Sequence, residues 1–413
     1  MTSPTFTVPP NRANGQTGHI TDHNDFSGNW ATLLTSGGQQ YAATRRSQAL
    51  IPWHAGLANR STARCNIVCL GDSITAGQGA AVIGSEPGWD LCWRSRLRDL
   101  LRARYPTQGM FGGGRGYIGA KNTGVLSFTW PSTITGSPAS GTTLGPTGEF
   151  IQLTAGQSVA WTLLGDSADI LWTQAAGAGS FSWQVDSGST TNVSTAGGST
   201  VDGKITHISL GTPGTHTVTV AYATGANADI SGIVEYYGDY TSGIQVHDCG
   251  HYGWTTGNWV TSMNGGSAAN SGAAIAALAP SLVIITLGAN DQFNGVTPAT
   301  YQTNLQTIIT DLKAQLTSPF PSFVIQMLPP RSGQSGYTYP WSQYVSAAYA
   351  VAAADTSGPS SNSIVTVMDW TLGPRLLGGD TDVYGVWAGD GVHPLNLGHQ
   401  ATADGLLTFL SWE

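Results

Sequence analysis

The sequence predicts an α/β protein whose parallel sheet is interrupted by an inserted all-β segment. Apolar runs at residues 281–287 and 322–327 are continuous, as in strands buried on both faces, and the stretches between such runs are long enough for helices. From about residue 108 to 243, apolar residues instead recur at every second position between glycine-rich turns, which is typical of antiparallel strands. Because the α/β pattern begins before this segment and resumes after it, we interpret the segment as an insertion into one domain.

The chain is therefore predicted to have three parts. In residues 1–60, proline and glycine interrupt any regular hydrophobic pattern near the start, and we predict an N-terminal arm with one helix. Residues 61–107 together with 244–413 predict the α/β domain, and residues 108–243 predict a β-sandwich of the jelly-roll kind. The chain start lacks a basic segment followed by an apolar run, and no run of 18 or more apolar residues occurs, so we expect neither a Sec-type signal nor a membrane span.

The composition favours a globular protein with a polar but weakly charged surface. Hydrophobic residues make up 40% of the chain and charged residues only 10%, and 55 glycines suit short strands and tight turns. With a net charge of -8 and only 16 Lys plus Arg, the chain would repel a phosphate backbone, so no nucleic-acid partner is expected. Such surfaces are common on exported or particle-borne proteins, and we expect an extracellular or virion-associated location. A homo-oligomer is left open.

The first strand and helix of the α/β domain are predicted at residues 65–70 and 89–105. The helix carries apolar residues at helical spacing. Arg94, Arg98 and Arg102 recur every four residues along it, and we interpret them as a solvated polar face rather than an anion-binding one.

The four cysteines favour free thiols over disulfides. Cys65 and Cys69 lie four apart in a strand-like run, so they share one face and are expected to be buried thiols. A bridge between Cys92 and Cys249 is the less favoured alternative, because so few cysteines rarely form a disulfide framework.

Ser73 is the candidate nucleophile. It lies in Gly71-Asp72-Ser73, between the predicted strand and helix, where a sharp turn exposes a serine hydroxyl. Its own N–H would begin the helix, where unpaired donors favour an anion. A plain helix N-cap is the alternative interpretation. The identical tripeptide Gly165-Asp166-Ser167 is followed by a strand-like run and is interpreted as a turn.

His393 is the candidate general base. Asp390, three residues earlier, can turn back within one tight loop and hold the Nδ1 atom of the ring. A histidine at a surface turn is more often a bystander, and His399 is the substitute candidate.

Asn290 and Gly253 are candidate donors to an oxyanion. Asn290 follows the strongest strand run, at the carboxyl end of a parallel strand, where open α/β sheets bind ligands. Its side-chain NH₂ group can donate a hydrogen bond, although Asn-Asp after a strand is also a common capping or turn pair. Gly253 follows the apolar run near residue 246 and offers either a backbone N–H or merely a turn.

Together these residues resemble the four sequence blocks of the SGNH hydrolases, also called the GDSL esterase and lipase family. In block order the matching residues are Gly71-Asp72-Ser73, Gly253, Gly288-x-Asn290-Asp291 and Asp390-x-x-His393. The resemblance covers about residues 61–107 and 244–413.

The resemblance implies a flavodoxin-like three-layer α/β/α domain and a set of site roles. It implies Ser73 as nucleophile, with Asp390 and His393 completing a catalytic triad. It also implies that the backbone of Ser73 shares the oxyanion hole with Gly253 and Asn290. Gly250 is a competing choice for the second block.

No metal or cofactor is implied by the resemblance. The cluster His247-Asp-Cys-Gly-His251 has ligand types that suit zinc, but no second pair follows at metal-site spacing. A zinc site is therefore not expected.

The inserted segment resembles the jelly-roll modules attached to some carbohydrate esterases. Tryptophans in it are suited to stacking on sugar rings, although core packing is favoured for most of them. They are Trp130, Trp161, Trp172 and Trp183. Residues 15–24 resemble the openings of bacteriophage tail proteins, which fits a virion enzyme acting on a host envelope polymer.

The sequence thus predicts a serine esterase that hydrolyses carboxylic esters through an acyl-enzyme on Ser73. O-acetyl groups on a polysaccharide are the expected substrate. One alternative is a non-catalytic carbohydrate-binding adhesin or tail protein built on a hydrolase scaffold. The other is a lipase or thioesterase, which would require a long apolar acyl groove that no concentrated apolar loop supplies.

Overall fold

A computed structural model describes most of the chain. The described residues are 46–80, 88–107, 114–122, 130–328, 337–370, 386–388 and 390–411. The segment 15–24 and most of the predicted N-terminal arm lie outside them, so the arm remains a prediction. No helix among the described residues is long and apolar enough to cross a membrane.

Strands and helices alternate at both ends of the described chain and strands alone fill its middle. The strands are β1 (Arg64–Gly71), β2 (Gly116–Gly119), β3 (Ser132–Thr135), β4 (Ala139–Gly141), β5 (Phe150–Leu153), β6 (Ser158–Gln174), β7 (Ser180–Val185), β8 (Thr191–Ser194), β9 (Val201–Thr224), β10 (Ala228–Tyr236), β11 (Gly243–Gly250), β12 (Pro280–Thr286), β13 (Ser322–Met327) and β14 (Val365–Asp369). The α-helices are α1 (Ile51–Ala58), α2 (Ser73–Ala76), α3 (Gly88–Leu91), α4 (Trp93–Arg104), α5 (Thr256–Met263), α6 (Ser271–Ala277), α7 (Ala289–Phe293), α8 (Pro298–Gln315), α9 (Trp341–Ala354) and α10 (Asn396–Leu410).

Five parallel strands form the first sheet, in the order β11-β1-β12-β13-β14. The chain therefore runs outward in both directions from β1, as in flavodoxin-like doubly wound sheets. Alternate residues of β1 enter different cores: Val68 and Leu70 pack with side chains of α5, α8 and α9, whereas Ile67 and Cys69 pack with those of α1, α4 and α10. Helices thus cover both faces, which explains the continuous apolar runs and confirms the predicted mixed α/β class.

Nine strands, β2 to β10, form a curled antiparallel sheet. Its main path runs β4-β5-β10-β6-β9-β7-β8, with β2 added to β10 and β3 to β6. Trp161 and Trp172 are buried in its core, and Trp130 and Trp183 pack against that core half-buried. The two-sheet jelly-roll form predicted for residues 108–243 remains a prediction.

The antiparallel sheet shares a core with the parallel sheet. Tyr117 of β2, Leu171 of β6 and Val234 of β10 belong to the same buried cluster as Val68 of β1 and Ile285 of β12. The two sheets are therefore held together by apolar packing, which is the dominant stabilising term in protein interiors.

The predicted turn at Gly165-Asp166-Ser167 is wrong, because all three residues lie inside β6. Gly165 pairs with Gly214 and Ser167 with Ser209, and the register shifts between them as in a β-bulge. A Cβ atom on Gly165 would lie 2.0 Å from the carbonyl oxygen of Tyr236, so glycine is needed for this close approach.

The predicted solvated face of α4 is also wrong. Arg94 and Arg98 are only 2% and 7% exposed. The Arg94 guanidinium lies 3.7 Å from the ring centroid of Trp89 and 3.1 Å from a carboxylate oxygen of Asp248. Arg102 is half-buried and donates to a backbone carbonyl of β11. Hydrophobic periodicity assigns arginine to solvent, but a guanidinium can be buried where carbonyls, carboxylates and aromatic rings satisfy it.

All four cysteines are buried and free. The prediction for Cys65 and Cys69 is confirmed, and the alternative bridge between Cys92 and Cys249 is absent. Burial raises the pKa of the Cys65 thiol to about 12, so it remains protonated and unreactive at neutral pH.

Candidate active site

Ser73 lies where β1 turns sharply into α2. Asp72 is the N-cap of this short helix, with its carboxylate accepting from the Ile74 N–H at 2.9 Å. A Cβ atom on Gly71 would lie 2.1 Å from Thr75 Oγ1, so only glycine allows the turn to close this tightly. The turn places the Ser73 hydroxyl at the carboxyl edge of the parallel sheet, with the side chain 4% exposed.

His393 connects Ser73 to Asp390. The Oγ atom of Ser73 is 2.7 Å from Nε2 of His393, and Nδ1 of His393 is 2.6 Å from Oδ2 of Asp390. A carboxylate only accepts hydrogen bonds, so Nδ1 carries the proton and Nε2 is left to accept from the serine hydroxyl. The structure therefore brings together three side chains that lie up to 320 positions apart.

The Asp390 carboxylate also shapes its own loop. Its Oδ1 atom accepts from the backbone N–H groups of Val392 and His393, at 2.9 and 3.1 Å. Burial alone would raise the pKa of Asp390, but the hydrogen bonds from His393 and Val392 outweigh it, and the pKa lies below its ordinary value. Asp390 is therefore ionised at neutral pH and can stabilise a protonated His393 ring.

Gly253 lies in a tight turn from His251 to Trp254. The Trp254 N–H donates to the His251 carbonyl at 3.3 Å, and Gly253, third in the turn, has φ +75°. A type II turn requires this positive φ at its third position, where glycine is strongly preferred. Within the described part of the chain, the Gly253 N–H has no hydrogen-bond partner.

Gly250, the competing glycine, has a different environment. It ends β11, and its N–H donates to Oδ1 of Asp248 at 2.9 Å. A Cβ atom on Gly250 would lie 2.4 Å from the Ala76 nitrogen, so glycine is required for β11 to pass close to α2.

Asn290 lies at the start of α7, and its amide reaches the Gly253 turn. The Nδ2 group donates to the Trp254 carbonyl at 3.0 Å. One of its two protons is thus used within the protein, and the other remains available for an oxygen atom. Gly288 precedes α7 with φ +128°, a conformation that favours glycine.

Asp291 joins the loops that carry Asn290 and Gly253. It is fully buried and accepts from both the backbone N–H and the hydroxyl of Thr256, at the start of α5. Burial raises the pKa of Asp291. Burial likewise raises the pKa of Asp72 to about 7, and the nearby Asp291 adds to this shift.

Arg94 supports the far end of α2, a role that the sequence did not reveal. Its Nε atom donates to the Thr75 carbonyl at 2.9 Å and its Nη2 atom to the Ala76 carbonyl at 3.3 Å. Together with the ion pair to Asp248 of β11, these contacts tie the nucleophile helix to the adjacent strand. The helical spacing of Arg94, Arg98 and Arg102 in the sequence does not distinguish this contact from a solvated face.

His399 is not available as a substitute base. It is fully buried in α10, with Nε2 donating to the Gln78 carbonyl at 3.1 Å and Nδ1 accepting from the Trp93 N–H at 3.2 Å. Burial lowers the pKa of His399 to about 3, so the ring is neutral and both nitrogens are occupied.

His247 and His251 have separate surroundings. Burial lowers the pKa of His247 to about 3, with Arg64 and Arg102 adding to the effect. His251 Nδ1 instead donates to the Thr147 carbonyl at 2.8 Å. Among the described residues, no group of three or more His, Cys, Asp or Glu side chains is arranged to hold a metal ion.

Comparison with known proteins identifies one matching family model. Residues 211–401 match the GDSL-like lipase/acylhydrolase family, a range that contains Gly253, Asn290, Asp390 and His393. Ser73 lies before the matched range. No curated protein sequence shows a significant match to the chain.

The chain is also similar to solved structures. A structure titled "Peptidoglycan O-acetylesterase in action, 5 min" aligns over 87% of this chain and 95% of its own, with 20% identity and a TM-score of 0.60. A family two carbohydrate esterase from Cellvibrio japonicus aligns over 71% and 97%, with 12% identity and a TM-score of 0.27. Residues 211–401 are thus similar to the GDSL-like lipase/acylhydrolase family, and the chain as a whole shares the fold of the first of these structures.

Proposed function

We propose that this protein is a serine esterase with Ser73 as nucleophile, His393 as general base and Asp390 as the residue that orients the base. The observation that carries the proposal is the continuous hydrogen-bonded path from the Ser73 hydroxyl through His393 to Asp390, at 2.7 and 2.6 Å. Both distances suit proton transfer and charge stabilisation without rearrangement.

The reaction proceeds in two steps, acylation of Ser73 and hydrolysis of the acyl-enzyme. His393 Nε2 takes the Ser73 proton while Oγ attacks the ester carbonyl carbon, and the resulting tetrahedral intermediate carries a negative oxygen. Its collapse breaks the bond to the alcohol, which leaves with the proton from His393, and an acyl-Ser73 ester remains. Water then attacks the acyl carbon while giving a proton to His393, and collapse of the second tetrahedral intermediate releases the carboxylic acid as the Ser73 oxygen takes that proton back from His393.

Three donors are proposed to bind the tetrahedral oxygen: the backbone N–H groups of Ser73 and Gly253, and the Asn290 amide. The N–H of Ser73 opens α2, where helix donors are unpaired. The unpaired N–H of Gly253 supports it over Gly250, whose N–H already donates to Asp248. Preorganised donors of this kind are worth about 10²- to 10³-fold each in kcat.

The proposed substrate is an O-acetyl group on a polysaccharide. The similar fold of the protein titled as a peptidoglycan O-acetylesterase supports this choice. We further propose that residues 108–243 form an inserted domain and that the protein acts outside cells or on a virion.

Three measurements test the proposal. Purified protein should release p-nitrophenol from p-nitrophenyl acetate faster than from the octanoate, because an acetylesterase needs no long acyl groove. A fluorophosphonate should stop turnover, and mass spectrometry should locate the adduct on the peptide that contains Ser73. Acetate release should then be compared on O-acetylated peptidoglycan and O-acetylated xylan.

Distinct outcomes separate the alternatives. Faster hydrolysis of the octanoate would favour a lipase or thioesterase. Glycan binding without any ester hydrolysis, and without labelling of Ser73, would favour an adhesin on a silent hydrolase scaffold.

A further inference from the structure

We propose that a buried loop of the antiparallel sheet, residues 144–149, fixes the oxyanion hole in place through His251, which acts as a positioning residue. The inference rests on the proposed esterase function and assigns to the inserted segment a part in the reaction itself. It is carried by a chain of contacts from this loop to Gly253 and Asn290.

The first contact is a hydrogen bond between the loop and His251, the residue that follows β11. Nδ1 of His251 is 2.8 Å from the carbonyl oxygen of Thr147. A carbonyl only accepts, so Nδ1 carries the proton in this contact. Both residues are buried, with His251 6% and Thr147 1% exposed, so water does not compete for the bond.

The second contact is apolar and involves Trp254, which ends the Gly253 turn. Its ring stacks on the His251 ring, with centroids 3.8 Å apart and planes 20° from parallel. The edge of the indole lies against the loop, because a Cβ atom on Gly148 would lie only 2.2 Å from Cη2 of Trp254. His251 and Trp254, the two ends of the turn that holds Gly253, therefore both contact residues 144–149.

The turn is also linked to the remaining site residues. The backbone N–H of His251 donates to the Gly71 carbonyl at 3.0 Å, next to the nucleophile turn. Asn290 donates to the carbonyl of Trp254 at 3.0 Å. A shift of His251 or Trp254 would thus move two of the proposed oxyanion donors together.

The loop itself is anchored within the antiparallel sheet. Asp202 of β9 accepts from the Gly145 N–H at 2.6 Å and from the Thr173 hydroxyl at 2.7 Å. Residues 144–149 are all buried, so the loop is packed rather than free at the surface. A rigid support of this kind matters because a displacement of about 1 Å at a catalytic group can cost about 10²-fold in rate.

The test compares three single variants by steady-state kinetics with p-nitrophenyl acetate. His251→Leu removes the Nδ1 donor and should lower kcat by about 10- to 100-fold with KM nearly unchanged, because the lost interaction acts only on the transition state. His251→Asn places an amide donor near the Nδ1 position and should restore most of kcat. His247→Leu, the same substitution at a buried histidine of β11 outside the site, should leave kcat unchanged.

A double variant shows whether His251 acts through the oxyanion hole. Asn290→Ala and His251→Leu should together lower kcat by less than the product of the two single losses, since both disturb the same donors. Thermal melting of each variant shows that it is folded, and if His251→Leu does not fold, His251→Phe, which keeps a ring beside Trp254 but lacks the Nδ1 donor, replaces it in both the single and the double variant.

The results separate this inference from the proposed function. If Ser73 is labelled and the wild type turns over, but His251→Leu keeps full kcat or changes only KM, the positioning role is wrong and the esterase proposal stands. Fully multiplicative losses in the double variant would also overturn it. If the wild type hydrolyses no ester, both proposals fail.

Discussion

The chain contains Gly-Asp-Ser twice, and the two copies have opposite surroundings. In the copy ending at Ser73, a parallel strand stops and a helix begins, so the serine lies at the edge of the sheet with His393 at 2.7 Å. In the copy ending at Ser167, the tripeptide is a bulge within a 17-residue antiparallel strand, and the Ser167 hydroxyl donates to the Asp166 carboxylate at 3.4 Å. The chemistry available to the same three residues thus depends on whether they end a parallel strand or lie within an antiparallel one.

Asp-His pairs show the same contrast. His216 is 2.8 Å from Asp186 through Nδ1, much as His393 is 2.6 Å from Asp390. The other nitrogen of His216, however, donates to the Thr212 carbonyl and not to a hydroxyl. A serine in the Gly-Asp-Ser motif and an Asp-His pair therefore both occur in the antiparallel sheet, but apart. Among the described residues, a serine, a histidine and an aspartate come together at the edge of the parallel sheet.

Removing each serine in turn tests the difference between the two copies. Ser73→Ala should lower kcat on p-nitrophenyl acetate by about 10⁶-fold, because the covalent route is lost. Ser167→Ala, which removes the hydroxyl of the second copy, should leave kcat unchanged and cost about 1 kcal/mol of unfolding free energy or less. Equal kinetic effects of the two substitutions would refute the distinction between the copies.

The two aspartates that hold histidine rings provide the second test. Asp390→Asn should lower kcat by about 10⁴-fold, since an amide no longer fixes the Nδ1–H form of His393 or stabilises its positive charge. Asp186→Asn, with a matching Asp-His geometry, should have no kinetic effect. A kcat for Asp390→Asn within tenfold of the wild type would remove Asp390 from the proposed mechanism.

The smallest expected effect concerns Asp72 and pH. Burial raises the pKa of Asp72 in the folded protein to about 7, above its ordinary value of 3.8. The Asp72 carboxyl therefore contributes most to the free energy of unfolding below pH 3.8, where it is protonated in both states, and this contribution is lost as pH rises through 7. Asn is an equally good N-cap and carries no charge. Relative to the wild type, Asp72→Asn should therefore gain about 2 kcal/mol of unfolding free energy between pH 5 and pH 8.

Urea unfolding at both pH values measures this change. Asp239→Asn is the control, because the Thr241 and Ser242 hydroxyls hold the pKa of Asp239 below its ordinary value, and its contribution is constant across this range. If the difference in unfolding free energy between Asp72→Asn and the wild type does not change with pH, the pKa of Asp72 is not raised by burial.

Local patterns predicted the parallel sheet and the positions of its loops. The runs at 281–287 and 322–327 correspond to Pro280–Thr286 and Ser322–Met327, because strands buried on both faces must be apolar throughout. Ser73 and Asn290 were predicted from their positions after strands, where a parallel sheet brings its loops together, whereas His393 was predicted from its spacing to Asp390 and from the family resemblance. Such motifs are local and therefore visible in one sequence.

Contacts between distant segments were not predictable in the same way. The burial of Arg94 depends on Trp89 and Asp248, and the hydrogen bond of His251 depends on a carbonyl 104 positions earlier. The bulge at Gly165 depends on the neighbouring carbonyl of Tyr236. Each of these contacts depends on which segments become neighbours after folding. Hydropathy and residue spacing along the chain do not predict those neighbours.

The shared core of the two sheets bears on how this protein can be re-engineered. Replacing residues 108–243 by a short linker would uncover the apolar partners of Tyr117 and Leu171 and remove the carbonyl that His251 uses. A minimal catalytic fragment cut at those positions should therefore be insoluble or slow. A chimera in which a foreign sugar-binding module replaces this segment would have to retain residues 144–149 and the apolar side chains, such as Tyr117 and Leu171, that pack against the parallel sheet.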